Sequence, residues 1–356
     1  MKFLRACSIF VFPVLLAAQP GPGQEDRAIA AADHEQVIQK LAEALEKRYV
    51  FPGVGVKLAA DLKQRLNSKE YEAVTSARQF ADILTEQLQE ISRDKHLRVR
   101  YSFDPIPERT GPSGPPPPEE IERMRRQAGR SNFGFQRVEI LEGNVGYLDL
   151  RGFMNAALGG ETAVAAMNFL ANSDALIVDL RSNGGGDPAM VALLSSFLFD
   201  NVVHLNDLYF RPADSTHQWW TLPYVPGKRL AGKPVYVLTS KRTFSAAEEF
   251  TYNLKNLKRA TIVGETTGGG AHPGEGARLH PHFGAFISTG RAINPVSKTN
   301  WEGTGVEPDV KTGQEMALKK AHLLAVKEIG KAENNPALKK RLEDAARTLE
   351  KELSTP

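Results

Sequence analysis

Ser245 stands where an apolar stretch, Pro234-Val-Tyr-Val-Leu-Thr-Ser240, passes through a short polar turn, Lys241-Arg-Thr-Phe244, into the helix-forming run Ala246-Ala-Glu-Glu-Phe250. A serine at such a strand-to-helix junction exposes its hydroxyl at a helix N-terminus, where free backbone N–H groups and the helix dipole favour negative charge. Those are the conditions a nucleophile needs. They also suit a plain cap, because Ser245 followed by Glu248 matches the S-x-x-E capping box. Residues elsewhere must decide between the two roles.

The second chemical signal is Leu176-Ile-Val-Asp-Leu-Arg-Ser-Asn183 running into Gly184, Gly185 and Gly186, a buried strand that opens into a glycine turn before a helix. Consecutive glycines let backbone N–H groups come close to a ligand, as an oxyanion hole or an anion site requires. A turn beyond the C-terminal end of its strand is also where open α/β sheets place their sites. Neither phosphate-loop pattern is present, so the alternative is a turn that is purely conformational. His272, His280 and His282 fall in a glycine-rich stretch with no second ligand at helical spacing, which favours loop roles over zinc. No metal and no cofactor are expected.

These residues need elements to hold them. Between Asp33 and Ser92 apolar residues recur at helical spacing, as in Val37, Leu41, Leu45, then Leu58, Leu62, and then Phe80, Leu84, Leu88. The spacing predicts a small helical bundle over 33–95, with Phe51-Pro-Gly53 parting its first two helices. Residues 96–134 read as one strand, Leu97–Ser102, and a proline-rich connection at 105–118, with Glu119–Arg130 as one amphipathic helix. From 135 to 312 strands and helices alternate, with strands at 136–141, 145–150, 175–180, 234–239 and 260–263, so the core is α/β with a sheet covered on both faces. Residues 313–356 return to helix, broken at Asn334-Asn-Pro336.

Composition bounds the partners. The chain has 356 residues, 41% hydrophobic and 24% charged, enough for one large domain and a smaller one. Lys2 and Arg5, the apolar run from Ser8 to Ala18 and the small residues after it have the layout of a secretory signal over 1–24. That run is about half the ~20 residues a membrane span needs, so no stable membrane insertion is expected once the signal is cleaved. Cleavage would leave a net charge of about +1 and remove Cys7, the only cysteine. A near-neutral chain without a basic cluster argues against nucleic acid as a partner.

Four segments in order, the D-L-R-x-N-G-G-G turn, the T-S-x-x-T-F-S-A-A-E segment around Ser245, Arg259–Gly270 and Glu302-Gly-Thr-Gly-Val-Glu-Pro-Asp309, together resemble the tail-specific, or C-terminal processing, serine peptidases. The resemblance covers roughly Asp33 to Asp309 and is strongest to the branch related to interphotoreceptor retinoid-binding protein. It implies a crotonase-like (ClpP-like) α/β core behind a helical N-terminal part, and Ser245 as nucleophile. The family's PDZ domain has no room between Tyr101 and Gln136. The family's T-F-G-K-G motif, which carries a general-base lysine, is replaced by Thr267-Gly-Gly-Gly270. Lys255 and Lys258 are expected in solvent, on the outer face of the helix after Ser245.

A serine hydroxyl needs a base. The tricorn-like branch uses histidine with glutamate, and Ser92-Arg-Asp94-Lys-His96 and Glu302 match those positions. The resemblance therefore implies a Ser245–His96–Glu302 triad, with Gly185 and Ala246 N–H groups as the oxyanion hole and Gly184, Gly186, Gly269 and Gly270 along the substrate. His272 is the reserve base. The implied protein is an exported, periplasmic or extracellular serine peptidase acting on peptide or protein substrates. The alternative on the same scaffold is a non-catalytic binding protein for a retinoid or fatty acid.

Overall fold

The computed structural model describes residues 26–108 and 117–354, so the signal-like segment 1–24 and part of the proline-rich run lie outside the described residues. The chain divides into two compact units, Met1–Met124 with Gly274–Thr289, and Arg125–Pro273 with Gly290–Pro356.

The first unit carries α1 (Ala31–Arg48), α2 (Pro52–Asn67) and α3 (Ala77–Ser92), followed by β1 (Arg98–Tyr101). Pro52 opens α2 at its first turn, where the missing N–H costs nothing. Ser76 caps α3, its Oγ accepting from Gln79 N–H at 3.0 Å. The expected apolar positions are the ones buried, among them Val37, Leu41, Leu45, Leu58, Leu62, Phe80, Leu84 and Leu88. The helices rest on an antiparallel sheet in the order β1-β10-β9, where β9 is Gly274–His280 and β10 is Phe283–Ser288. Val99, Ala285, Ile287 and Phe283 face the helices, and the Phe283 ring lies 5.9 Å from Phe80. Residues 274–289, which sequence reading runs on as part of the core at 135–312, thus group with the helical unit. Their glycine-rich composition hid a hairpin whose pairing partner is β1, about 180 residues earlier in the chain.

The second unit is built on a six-stranded sheet in the order β12-β8-β7-β4-β3-β2. The strands are β2 (Phe135–Leu141), β3 (Val145–Leu150), β4 (Ala175–Asp179), β7 (Val235–Thr239), β8 (Thr261–Gly264) and β12 (Val310–Lys311). All neighbours are parallel except β2, which is antiparallel to β3. Both faces are covered, as the continuously apolar strands require. Leu176, Val178, Val235 and Val237 join the core under α5 (Ala156–Leu170), α6 (Pro188–Ser196) and α7 (Ala246–Asn256). Ile177, Tyr236 and Leu238 face the other way, onto the alanine stripe Ala317, Ala321 and Ala325 of α8 (Gln314–Ala332). α4 (Pro118–Gly129) buries no residue, and α9 (Pro336–Ser354) packs on α8 through Leu342, Ala345 and Leu349.

A second small sheet, in the order β11-β5-β6, comes from β5 (His204–Phe210), β6 (Ser215–Trp220) and β11 (Gly290–Ile293). Sequence reading assigned nothing to 204–220, because β6 is polar and mostly exposed and its hydrophobic alternation is correspondingly weak. This sheet packs through Leu208 and Ala292 against Ala271, Trp301 and Val306. It therefore backs the two loops that carry the carboxyl side of the candidate site.

Candidate active site

β4 and β7 are parallel neighbours, so the glycine turn after β4 and the serine turn after β7 leave the sheet at the same end. Polar residues stitch the two turns together. Thr243 Oγ1 donates to Leu180 O at 2.8 Å, Ser240 Oγ to Arg181 O at 2.6 Å, and Phe244 N–H to Asn183 O at 3.1 Å. Asp179 and Arg181 of the D-L-R motif form a half-buried ion pair that also takes the Tyr147 hydroxyl at 2.8 Å. Their role here is to fix the end of β4, with Arg181 Nη1 donating to Gln314 O.

Ser245 is the N-cap of α7 and has φ 55° and ψ −122°. A side-chain-bearing residue held at positive φ is strained, and such strain persists only where surrounding contacts impose it. Two contacts do so. The backbone of Gly185, at φ +112°, backs onto Ser245 so closely that a Cβ there would stand 2.7 Å from Ser245 Cβ. From the other side Glu248 Oε2 accepts the Ser245 N–H at 2.9 Å. The capping box suggested by sequence is therefore formed by its glutamate arm, while the Ser245 hydroxyl makes no cap hydrogen bond. Among the described residues the Oγ is not spent on structure.

Glu248 does more than cap. It is fully buried, and its carboxylate takes four donors: Ser245 N–H and Gly270 N–H at 2.9 Å on Oε2, and Gly269 N–H at 2.6 Å and Thr267 Oγ1 at 2.5 Å on Oε1. Burial pushes its pKa above the usual carboxyl value, against the pull of those hydrogen bonds. The loop 267–270 is thereby bound to the serine turn. It is bound in turn to the loop 301–306, where Trp301 Nε1 donates to Gly270 O at 2.7 Å and Gly303 N–H to Gly269 O at 3.1 Å. Glu302 sits on that second loop, half-buried, and its Oε2 accepts the Ala271 N–H at 2.5 Å. His272 Nδ1 is 3.5 Å from the same oxygen.

The sheet unit thus carries Ser245, Gly184, Gly185, Gly186, Ala246, Gly269, Gly270 and Glu302, connected by hydrogen bonds and close backbone contacts. Of the two expected oxyanion-hole donors, Gly185 N–H is already engaged by Asn183 Oδ1 at 2.9 Å, and of the glycines expected along the substrate, Gly269 and Gly270 give their N–H groups to Glu248. Ala246, at the first turn of α7, has no intrahelical partner for its N–H. Gly186, at φ +144°, is required for packing, since a Cβ there would meet Phe153 O at 2.0 Å.

His96 belongs to the helical unit. After α3, Arg93 adopts φ 59° and Asp94, fully buried, accepts the His96 N–H at 2.9 Å and the Tyr49 hydroxyl at 3.1 Å. The acidic residue of Ser92-Arg-Asp94-Lys-His96 is thus what shapes the turn that presents the histidine. The His96 ring lies 5.9 Å from that of Phe286. His280 and His282 also take structural roles in this unit. His280 Nε2 stands 3.3 Å from Asp33, while His282 Nε2 accepts from Arg27 at 2.6 Å.

Lys255 departs from expectation. It is not in open solvent, because its Nζ is 2.9 Å from Asp309 Oδ1 and donates to Glu307 O at 2.6 Å. Lys258 is exposed, and both lysines line a cleft with Pro234, Val235, Ala260 and Thr261, at the N-terminal ends of β7 and β8. Ser245 is at the opposite end of those strands.

The model for peptidase family S41 matches residues 144–312, and the model for the N-terminal domain of that family in eukaryotic IRBP matches residues 30–138. The chain belongs to peptidase family S41. This S41 chain is 27% identical over 202 residues to carboxyl-terminal-processing peptidase 1, chloroplastic, of Arabidopsis thaliana, a match covering 56% of the chain and 40% of the relative's length. Its fold is similar to the crystal structure of mature CPAF, with a TM-score of 0.57 at 12% identity over 88% of this chain and 98% of that one. A lipoprotein of Streptococcus agalactiae has a TM-score of 0.51 at 14% identity, covering 87% and 100% of the two chains. At such identities the likeness is one of fold.

Glu249, next to the site residue Glu248, carries no signal in the sequence beyond its charge, yet it is buried between α7, β5 and the start of α6. Burial pushes its pKa up to about 8, with Asn206 as the polar side chain facing it and Asp187 adding like charge. Glu249 Oε1 and both polar atoms of Asn206 have no hydrogen-bond partner among the described residues.

Two expectations follow. Glu248→Gln puts an amide NH2 where an oxygen now accepts backbone N–H groups, so at least one buried donor loses its partner. The cost should be about 2–4 kcal/mol in denaturant unfolding, with labelling of Ser245 by a serine-reactive phosphonate slowed at least tenfold; unchanged stability and labelling would contradict the role given to Glu248. For Glu249 the folded pKa, about 8, exceeds the ordinary 4.5, so the folded state keeps a proton that the unfolded chain releases. Its contribution is complete below pH ~4.5 and is lost as pH rises towards 8. Glu249→Gln should therefore gain melting temperature relative to wild type between pH 5 and 8, with no such gain at pH 4. Melting curves that stay parallel across this range would show that Glu249 is not buried protonated.

Proposed function

We propose that this chain is an exported serine-type peptidase of the tail-specific class, which hydrolyses peptide bonds through an acyl-enzyme on Ser245. The observation that carries the reading is the Ser245 backbone, strained at a helix N-terminus with its hydroxyl unspent and the Gly185 backbone against it. A residue kept only to cap α7 would have no need of that strain, since an ordinary N-cap sits in the β region.

In this reading His96 takes the proton from Ser245 Oγ as the oxygen attacks the substrate carbonyl carbon. The carbonyl oxygen becomes an oxyanion, stabilised by the Ala246 and Gly185 N–H groups, with the oxyanion replacing Asn183 Oδ1 as acceptor for Gly185. His96 then protonates the departing amine, and water attacks the ester with the same residue as base. Glu302 orients the imidazole and balances its charge. Support for these roles comes from the buried Asp94 that fixes the His96 turn, and from the Ala271 N–H that anchors Glu302. His272, beside Glu302, is the base if His96 is not. Gly184, Gly186, Gly269 and Gly270 would border the substrate as backbone only, the last two with their N–H groups held by Glu248. The crotonase-like form of the core and export to the periplasm or cell exterior belong to the same proposal; no described helix is long and apolar enough to cross a membrane.

The test is labelling by a fluorophosphonate with mass mapping. Wild type should be modified at Ser245, and Ser245→Ala should not, with stability little changed because the hydroxyl makes no cap hydrogen bond to lose. Peptide turnover should fall by several orders of magnitude in Ser245→Ala and comparably in His96→Ala, because serine, base and acid act as a unit. A collapse in His272→Ala with His96→Ala active would move the base to His272. No labelling and no hydrolysis, with tight binding of retinol or a fatty acid unaffected by Ser245→Ala, would replace the peptidase reading by the ligand-binding one.

A further inference from the structure

The β1-β10-β9 sheet has a second face, turned away from the helices, that the catalytic reading leaves unused. Register places Arg98 opposite Phe286, Phe286 opposite Gly276, Arg100 opposite Gly284 and Gly284 opposite Arg278, so these six residues share that face. Above Gly276 a Cβ would meet nothing within 4 Å, which leaves the floor open beside Phe286. The His96 ring borders the same phenyl group at 5.9 Å.

Three arginines on one small face call for anions, yet few are supplied. Arg278 is drawn aside, its Nε donating to Ile106 O at 2.9 Å and its Nη1 3.8 Å from the exposed Glu108. Arg98 donates to Lys95 O at 2.7 Å and has no carboxylate in ion-pair reach among the described residues. Arg100 has neither a side-chain hydrogen bond nor an ion pair there. Both guanidinium pKa values are nonetheless lowered by burial, and Arg98 further by its neighbour Arg100. Two adjacent guanidinium groups with no carboxylate in ion-pair reach, Asp94 acting on Arg98 only from further off, attract a carboxylate, which the planar fork of arginine can take with two parallel hydrogen bonds.

We propose that Arg98 and Arg100 bind a carboxylate of an extended peptide laid along this face. The proposal rests on the peptidase reading in one respect: the peptide is the substrate of the site that His96 serves. Arg98 follows His96 by two residues and Arg100 by four, so at about 3.3 Å per residue the Arg98 backbone lies within ~7 Å of the His96 backbone. Two sources share that chemistry, the C-terminal carboxylate of the peptide and an internal aspartate or glutamate side chain.

Equilibrium binding to Ser245→Ala protein separates these sources without requiring turnover. Three fluorescent peptides of one neutral sequence are compared by anisotropy at low salt: amide-ended, ending in a free carboxylate, and amide-ended with one internal glutamate. At least one carboxylate peptide should bind about tenfold tighter than the neutral one, and the preference should shrink as salt is raised. Arg98→Gln with Arg100→Gln should abolish it. Arg100→Gln alone, whose side chain has no partner to lose, should reduce it and guards against misfolding of the double variant. Equal binding of all three peptides, no binding of any, or a preference that survives both variants would overturn the proposal. Failure of the peptidase reading shows separately, as absence of Ser245 labelling by a neutral phosphonate in the wild type.

Discussion

A single buried carboxylate holds the candidate site together. Glu248 gathers the N–H of Ser245, the N–H groups of Gly269 and Gly270 and the Thr267 hydroxyl onto two oxygens, so that the serine turn and the loop 267–270 share one acceptor. Without it the serine turn would lack the contact that draws its backbone to positive φ, and the loop 267–270 would lose the anchor against which the loop 301–306 is hydrogen-bonded. A charged acceptor suits this task because each hydrogen bond to it is stronger than one between neutral groups, and because four donors offset much of the penalty for burying it.

The rest of the sheet unit supplies position. Parallel pairing of β4 with β7 brings the glycine turn and the serine turn to one end, and Asn183 ties the first to the end of β3 and to the serine turn, its Nδ2 donating to Leu150 O at 2.9 Å and its backbone carbonyl accepting the Phe244 N–H. Gly185 then has to be glycine, since any Cβ would collide with Ser245. The small β11-β5-β6 sheet presses Trp301 and Ala271 together and so sets the height of Glu302. Glu249 carries the cost of this architecture: it occupies the helix face that must pack inward, and stays protonated there because water is excluded.

Much of this was legible in the sequence where local pattern and tertiary role coincide. The three N-terminal helices, the α/β alternation and the strand-turn-helix at Ser245 are all local, and the structure has them where periodicity and turn residues placed them. The α/β class with a helical N-terminal part follows from those. What escaped was long-range. The strands at 204–220 are polar on one side, and the hairpin 274–289 pairs with a strand far upstream, so neither shows a periodic run strong enough to read. Glu248 was visible only as half of a capping box, because nothing in S-x-x-E says that the same carboxylate also binds Gly269 and Gly270. The glycine turn read as a ligand donor and Gly269 and Gly270 as substrate lining, whereas Gly185, Gly269 and Gly270 direct their N–H groups at side chains of the protein. Lys255 read as solvated from its helical position alone, and its partner Asp309 lies 54 residues on.

A crystal structure of the protein after reaction with a peptidyl phosphonate tests the role of Ser245 most directly. Continuous density is expected from Ser245 Oγ to phosphorus, with the phosphoryl oxygen at about 2.7–3.1 Å from the Ala246 N–H and Glu248 still holding its four donors. An unmodified Ser245 whose hydroxyl has turned onto the backbone of α7 as a cap, with the glycine turn unchanged, would contradict it.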